Sequence, residues 1–316
     1  MNDCRIGRIF MIGTVGESLV DIVNGKERIG GSPYNVALAA SRLGAPVTFF
    51  GKISADERGR RLLERMIDNG VLFDPQMCNA PEPTLCSRAV LDKEGKASYV
   101  FDYEGTAACS FTKEELYTSF CTESDIDMLL IGSISLVMEP GCKAIMPAIR
   151  KMKRRPVLFL DPNVRPSLIK DPAAYRKMIM DLAGECELVR VSDEDLAYLL
   201  PGISTAEAEL KMRKACRGCL IVTRGAYGST WYSKGFSVDT PCFNAGKIVD
   251  TIGCGDTFDG AVIAWLERNG LINSIASLTK QDVQKMMDYA SKAAGLNCLF
   301  EGCEPPRRVG NADDLE

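Results

Sequence analysis

Histidine is absent from this 316-residue chain. That removes His-based triads, His-ligated zinc and imidazole acid–base chemistry, and leaves proton transfer to Asp, Glu or a rarer group. Long apolar runs are also missing: none reaches the roughly 18 residues of a membrane-spanning helix, and no secretory leader pattern opens the chain. Basic blocks are scarce, since Lys151-Lys153-Arg154-Arg155 is short and sits in a polar stretch. With 38 basic and 42 acidic side chains the net charge is −4, so neither nucleic acid nor a membrane is an expected partner. No Gly-x4-Gly-Lys-Ser/Thr segment occurs, which excludes a P-loop NTPase. Gly253-x-Gly255 meets Phe258 where a dinucleotide fingerprint needs its third glycine, so that reading fails too.

Cysteine is plentiful by contrast. The 13 thiols are odd in number and scattered through apolar stretches, which suits reduced side chains in a cytoplasmic protein. Cys216-Arg217-Gly218-Cys219 has no second pair, so packing is expected there rather than a redox or metal site. The overall make-up, 46% hydrophobic and 25% charged, is that of a soluble enzyme with a full-sized core.

Short apolar runs alternate with helical patterns. Val47–Ile53, Met128–Gly132, Val157–Asp161, Leu188–Ser192 and Leu220–Thr223 read as buried parallel strands. Between them, helices are predicted at about Asn35–Leu43, Gly59–Asn69, Gly141–Lys153, Pro172–Leu182 and Ala206–Ala215, with Gly44 and Gly70 as stops. This rhythm predicts an α/β fold with helices on both faces of a mostly parallel sheet. Two stretches break it: Glu17–Ile29, extended with a turn near Asn24-Gly25, and Thr84–Tyr103, a hairpin turning at Asp92-Lys93-Glu94-Gly95. Together they are expected to form a small sheet standing off the main body, a candidate lid.

The richest segment runs Asp250-Thr251-Ile252-Gly253-Cys254-Gly255-Asp256-Thr257-Phe258-Asp259-Gly260. Phe258, Ala261, Val262, Trp265 and Leu266 then fall on one helical stripe. Two glycines thus precede a helix N-terminus, where free N–H groups and the positive end of the dipole favour an anion such as phosphate. Asp256, on the first turn, is placed to take a proton from an alcohol attacking that phosphate.

This segment resembles the D-T-x-G-A-G-D motif of the ribokinase-like, or PfkB, sugar kinases. Gly30-Gly31-Ser32-Pro33-Tyr34-Asn35-Val36-Ala37, with Arg42-Leu43-Gly44 and Phe50-Gly51-Lys52-Ile53, resembles the N-terminal motif of the same family. Asp161-Pro162-Asn163-Val164-Arg165 and Val191-Ser192-Asp193-Glu194-Asp195 look most like the fructokinase and ketodeoxygluconate kinase branch. The resemblance covers essentially the whole chain. It implies a ribokinase-like three-layer α/β/α sandwich over residues 1–316, with lid segments at about 17–29 and 84–106. It further implies an ATP- and Mg²⁺-dependent phosphotransferase acting on a sugar alcohol, and a homodimer formed through the lids.

Site roles follow from the same resemblance. Asp256 would be the catalytic base, with the N–H groups of Gly253, Cys254 and Gly255 holding the transferred phosphoryl. Asp21, Gly30, Gly31, Asn35, Tyr103 and Arg165 would bind sugar. Thr223, Gly225 and Gly228 match the nucleotide loop, and Ser291 stands where relatives place an asparagine near adenine. Ser192 and Asp195 replace an N-x-x-E motif that organises Mg²⁺ and phosphate through water. Asp250 would help hold a monovalent cation such as K⁺.

Blander roles stand beside these. Asp256 and Ser192 could simply cap helices, Asp21 and Asn35 could be surface or capping residues, and Arg165 an ordinary surface cation. Cys254 departs from the family's alanine; a helix N-terminus favours thiolate, so thiol reagents are expected to block the anion hole there. Glu104, in the lid, is expected to repel an anionic sugar, which favours a neutral ketohexose such as fructose over ketodeoxygluconate; ribose or a nucleoside is the less expected substrate. A non-catalytic sugar or nucleotide sensor is the alternative from another class.

Overall fold

The computed structural model describes residues 10–23, 25–91, 97–122 and 126–309. In chain order its strands begin with β1 (Met11–Val15), β2 (Leu19–Val23), β3 (Lys26–Gly30), β4 (Val47–Phe50) and β5 (Ile53–Ser54). They continue with β6 (Leu72–Phe73), β7 (Cys78–Ala80), β8 (Leu85–Leu91), β9 (Ala97–Phe101) and β10 (Ile126–Gly132). The last five are β11 (Val157–Asp161), β12 (Leu188–Ser192), β13 (Cys219–Thr223), β14 (Ser229–Tyr232) and β15 (Ser237–Thr240).

The main sheet has nine strands in the order β15-β14-β13-β12-β11-β10-β1-β4-β6. From β13 to β6 every pairing is parallel, while β14 and β15 add an antiparallel edge. Side chains alternate between two cores, as strand pleating requires. Ile12, Phe49, Met128, Leu130 and Phe159 face helices α1 (Ser32–Arg42), α2 (Glu57–Asp68), α8 (Cys254–Arg268) and α9 (Lys280–Asn297). Val15, Phe50, Leu129, Leu158 and Val189 face α3 (Lys113–Thr122), α4 (Cys142–Lys151), α5 (Pro172–Ala183), α6 (Asp193–Leu199) and α7 (Thr205–Ala215). The three-layer α/β/α arrangement is present.

The expected single strand over Val47–Ile53 is two. Gly51 passes so close to the main chain that a Cβ there would lie 2.3 Å from the Gly16 carbonyl oxygen, and the chain bends. Ile53–Ser54 then pairs with Cys78–Ala80 in a separate two-stranded sheet. Met11–Val15, not among the expected strands, sits between β10 and β4. It is short, and Gly13 and Thr14 interrupt its apolar signal.

β2, β3, β8 and β9 form their own four-stranded sheet in the order β3-β2-β8-β9. Asp21 on β2 stands opposite Ser87 on β8, and the Ser87 hydroxyl donates to the Asp21 carboxylate. The expected turn at 92–95 and Asn24 of the first turn lie outside the described residues. Cys216 and Cys219 are free thiols, and burial pushes them up to about 12 and about 11. They pack rather than react.

Candidate active site

A cavity of about 620 Å³ opens at the C-terminal ends of the parallel strands. Glu17 follows β1, Ser133 follows β10, Asn163 and Arg165 follow β11, and Ser192 ends β12. Ligand crevices in open α/β sheets lie on this side. The small sheet contributes Leu19, Asp21 and Phe101, and the segment leading into α8 contributes Thr251, Ile252, Gly253, Gly255 and Asp256.

The α8 entrance is built from sequence upward. Gly253 caps the helix with φ 76°, a left-handed conformation that favours glycine. Helix α8 is buried from Asp256 to Leu266, so it is a central rod rather than a surface helix. At Gly260 an added Cβ would lie 2.5 Å from the Ala39 Cβ, so α1 and α8 touch backbone to backbone. That contact delivers two α1 side chains to Asp256. The Ser32 hydroxyl donates to Oδ1 at 2.7 Å and the Asn35 amide to Oδ2 at 2.8 Å.

Burial raises the Asp256 carboxyl above the ordinary aspartate range, and the hydrogen bonds from Ser32 and Asn35 and the charges of Arg165 and Arg190 oppose that rise. Asp21 is likewise raised by burial, against the Ser87 hydrogen bond and the charges of Arg165 and Arg28. Gly30 packs beside Asp21, and Gly31 caps α1. Arg165 is exposed at the cavity wall, where Nη1 donates to the Asn163 side-chain oxygen at 2.6 Å.

Three site features carried no assigned role in the sequence. Glu17 is buried, accepts from the Ser32 N–H at 3.2 Å and from the Ser135 hydroxyl, and lines the cavity. Arg190 is buried on β12, pairs with Asp161 at 3.2 Å and lies 4.0 Å from Asp259. Asp259 follows Asp256 on the same helix and is fully buried. A charge inside Leu-Val-Arg-Val-Ser, an otherwise apolar parallel strand, is the signal that could have revealed Arg190, because such a charge must be paired.

The sequence matches the pfkB family carbohydrate kinase description over residues 6–308. The chain belongs to the PfkB family of carbohydrate kinases. This kinase is 32% identical over 290 residues to a fructokinase of Rhizobium leguminosarum bv. trifolii, covering 88% of this chain and 87% of that one. It is 30% identical over 302 residues to fructokinase-1 of Zea mays, covering 94% and 90%. Among solved structures, the fructokinase of Xylella fastidiosa with bound ATP superposes with a TM-score of 0.80 at 22% identity, covering 93% of each chain. The Vibrio cholerae O395 fructokinase in its fructose-, ADP- and calcium-bound form gives 0.77 at 22% identity, covering 93% and 94%. The fold is ribokinase-like, and the kinase is a phosphotransferase with an alcohol acceptor.

Several of the expected site residues of the kinase are not among those lining the cavity. Tyr103 is not among the cavity-lining residues; it is buried against Leu19, Leu85 and Ile134, and Phe101 lines the cavity instead. Glu104 is also outside the lining, with its side chain 81% exposed and 3.7 Å from Lys170. The repulsion expected from it loses its basis. Thr223, Gly225 and Gly228 form the β13–β14 turn, away from the cavity lining. Ser291 on α9 donates to the Pro241 carbonyl at 2.9 Å and accepts from the Phe243 N–H at 3.0 Å.

Ser192 caps α6 in a reciprocal box with Asp195, whose other oxygen accepts from the Val164 N–H at 2.8 Å. Both line the cavity beside exposed Glu194. Carboxylate oxygens at the cavity wall fit a magnesium ion held through water. No cluster of three or more His, Cys, Asp or Glu side chains able to hold a metal directly exists among the described residues. Asp250, the residue expected at a monovalent cation, has oxygens that accept from Arg28 at 3.1 Å, the Gly302 N–H at 2.9 Å and the Ile252 N–H at 3.1 Å.

Cys254 differs from the expectation of a thiolate. Burial, and then the neighbouring Cys298 thiol at 3.0 Å, push its pKa well up, so the thiol stays neutral despite the helix N-terminus. Desolvation outweighs the dipole here.

Proposed function

We propose that this kinase transfers the γ-phosphoryl group of ATP to the primary hydroxyl of a neutral ketohexose, D-fructose, giving fructose 6-phosphate. The observation that carries the reading is Asp256: a buried carboxylate on the first turn of α8, held by Ser32 and Asn35 and facing the cavity. Asp256 takes the hydroxyl proton as attack proceeds. A carboxylate suffices because the alcohol becomes acidic late in a loose transition state. N–H groups at Gly253, Cys254 and Gly255 receive the charge of the moving phosphoryl. Asp21, with Gly30 and Gly31 shaping the loop beside it, grips sugar hydroxyls.

Mg²⁺, held through water near Asp195 and Glu194, would neutralise phosphate charge when nucleotide is bound. Thr223, Gly225, Gly228 and Ser291 remain the proposed nucleotide contacts, reached by ATP extending beyond the cavity. Support for fructose comes from the fructokinase relatives and from Asp21 and Asp256 in the cavity lining, which accept hydrogen bonds from hydroxyls and disfavour an anionic sugar. Arg165 at the wall favours a second reading, a sugar acid such as ketodeoxygluconate. A homodimer through the small sheet is part of the proposal, supported by half-exposed Val100 on its edge strand β9, and light scattering tests it.

ADP release with ATP and Mg²⁺ across fructose, glucose, ribose, ketodeoxygluconate and adenosine tests the substrate. Asp256→Asn is expected to lower kcat on fructose by roughly 10²–10⁴-fold with little change in KM. Turnover confined to ketodeoxygluconate would replace the first reading by the second.

A further inference from the structure

A buried, paired arginine, Arg190, lies beside the mouth of α8. Gly255 donates one of the N–H groups at the mouth of α8, and directly beside it lies the guanidinium. A Cβ on Gly255 would sit 2.7 Å from Arg190 Nη2 and 3.1 Å from Nη1. Arg190 belongs to β12, its side chain is only 9% exposed, and it still lines the cavity. The arginine therefore requires glycine at 255.

This guanidinium is short of partners. Nη1 reaches Asp161 at 3.2 Å. Nε has no hydrogen-bond acceptor among the described residues, and the nearest Asp259 oxygen lies 4.0 Å from it. Asp161, Asp256 and Asp259 surround this one cation, all buried. Burial raises Asp161 and Asp259 above the usual carboxylate range, and the charge of Arg190 opposes the rise at both. Arg190 itself stays charged, because the surrounding carboxylates outweigh the burial that works against it. A positive charge thus lies beside Gly255 in a low-dielectric interior, where its effect on a nearby anion is far larger than in water.

We infer that Arg190 is the cationic floor of the anion hole: a positioning residue that holds the Gly255 backbone and stabilises the negative charge gathered there when a phosphoryl group moves. The inference rests on the proposed kinase reading. Arg190 acts from beside Gly255 at the cavity wall, so it adds charge next to the site of the phosphate. Its pairing with Asp161 at 3.2 Å fixes the guanidinium plane, while the nearest Asp259 oxygen stays 4.0 Å away.

The test compares Arg190→Met, Arg190→Lys and the double variant Arg190→Met/Asp259→Asn with the parent. Steady-state kinetics on whichever sugar the parent turns over are read beside calorimetric binding of ADP with Mg²⁺. Calorimetry needs no turnover, so failure of the kinase reading and failure of this inference are told apart. Removing the charge is expected to lower kcat by at least roughly 100-fold, as for loss of one anion-hole donor, while sugar KM moves less than about threefold. Arg190→Lys is expected to keep at least about a tenth of the parent kcat, because charge is retained.

The double variant separates the two possible jobs of Arg190. It removes the cation together with a carboxylate that faces it, so an arginine that merely balanced Asp259 would no longer be needed. The double variant is expected to fold, to bind ADP more weakly than the parent and to remain slow. Recovery of parent kcat in the double variant, or near-parent kcat in Arg190→Met, overturns the inference. Should neither neutral variant fold, Arg190→Lys decides alone: a kcat below about a tenth of the parent overturns it, and a higher one supports it.

Discussion

Cys254 shows how a single side chain is governed by competing fields. The N-terminus of α8 favours a thiolate, yet the thiol is desolvated and lies 3.0 Å from Cys298, so the neutral form wins. Alkylation should follow exposure and charge. Exposed Cys121 and Cys242 are expected to take up iodoacetamide at neutral pH before Cys254 does, read by peptide mass spectrometry along a time course. Labelling of Cys254 ahead of both would show that the dipole prevails after all. Asp256 is subject to the same desolvation but meets two donors and two arginines, which keep an ionised state within reach for proton abstraction.

At the scale of elements, α9 is the brace of the anion-hole loop. Asn297, in its last turn and fully buried, donates to the Ile252 carbonyl at 2.8 Å and accepts from the Glu304 N–H at 2.8 Å. Asn297→Ala leaves both main-chain groups without that partner, a loss of about 1–3 kcal/mol. Chemical denaturation should record that drop, together with reduced kcat; an unchanged midpoint would mean the loop is held by other contacts. Nothing local in the sequence announced this brace. The stripe of α8 and the parallel strands were legible because their periodicity is a property of neighbouring residues. Asn297 works across 45 residues, and β1 was missed because its role comes from its neighbours β10 and β4. Asp256 and Asn35 were legible through motif likeness. Glu17, Arg190 and the displacement of Tyr103 and Glu104 from the cavity depend on packing that no spacing encodes.

For the whole molecule, buried acids set the response to pH. Desolvation raises Glu17 to about 7, against hydrogen bonds from Ser135, Ser133 and the Ser32 N–H. An unfolded glutamate titrates near 4.3, so the folded state holds this proton more tightly. The resulting stabilisation is complete below about pH 4.3 and is lost as pH rises through about 7, an amount on the order of 3–4 kcal/mol. Glu17→Gln cannot ionise and keeps an acceptor for the Ser32 N–H. The parent is expected to lose more thermal stability than Glu17→Gln between pH 5 and pH 8, measured as the difference in Tm shift. Equal shifts would show that Glu17 stays ionised throughout.

The bonds from Ser32 and Asn35 to Asp256 span 224 and 221 residues, and this has a consequence for how the protein is made. Residues Pro33–Ala40 of α1 are all buried in the finished fold, and α8 is a principal cover. At a synthesis rate of about 5–20 residues per second, α8 follows α1 from the ribosome by on the order of ten to forty seconds. Throughout that interval the apolar face of α1 has no partner in α8, so the nascent chain presents a sticky helix next to an unfinished sheet. The same long-range closure makes the site a late event in folding, completed after the local β–α units have formed.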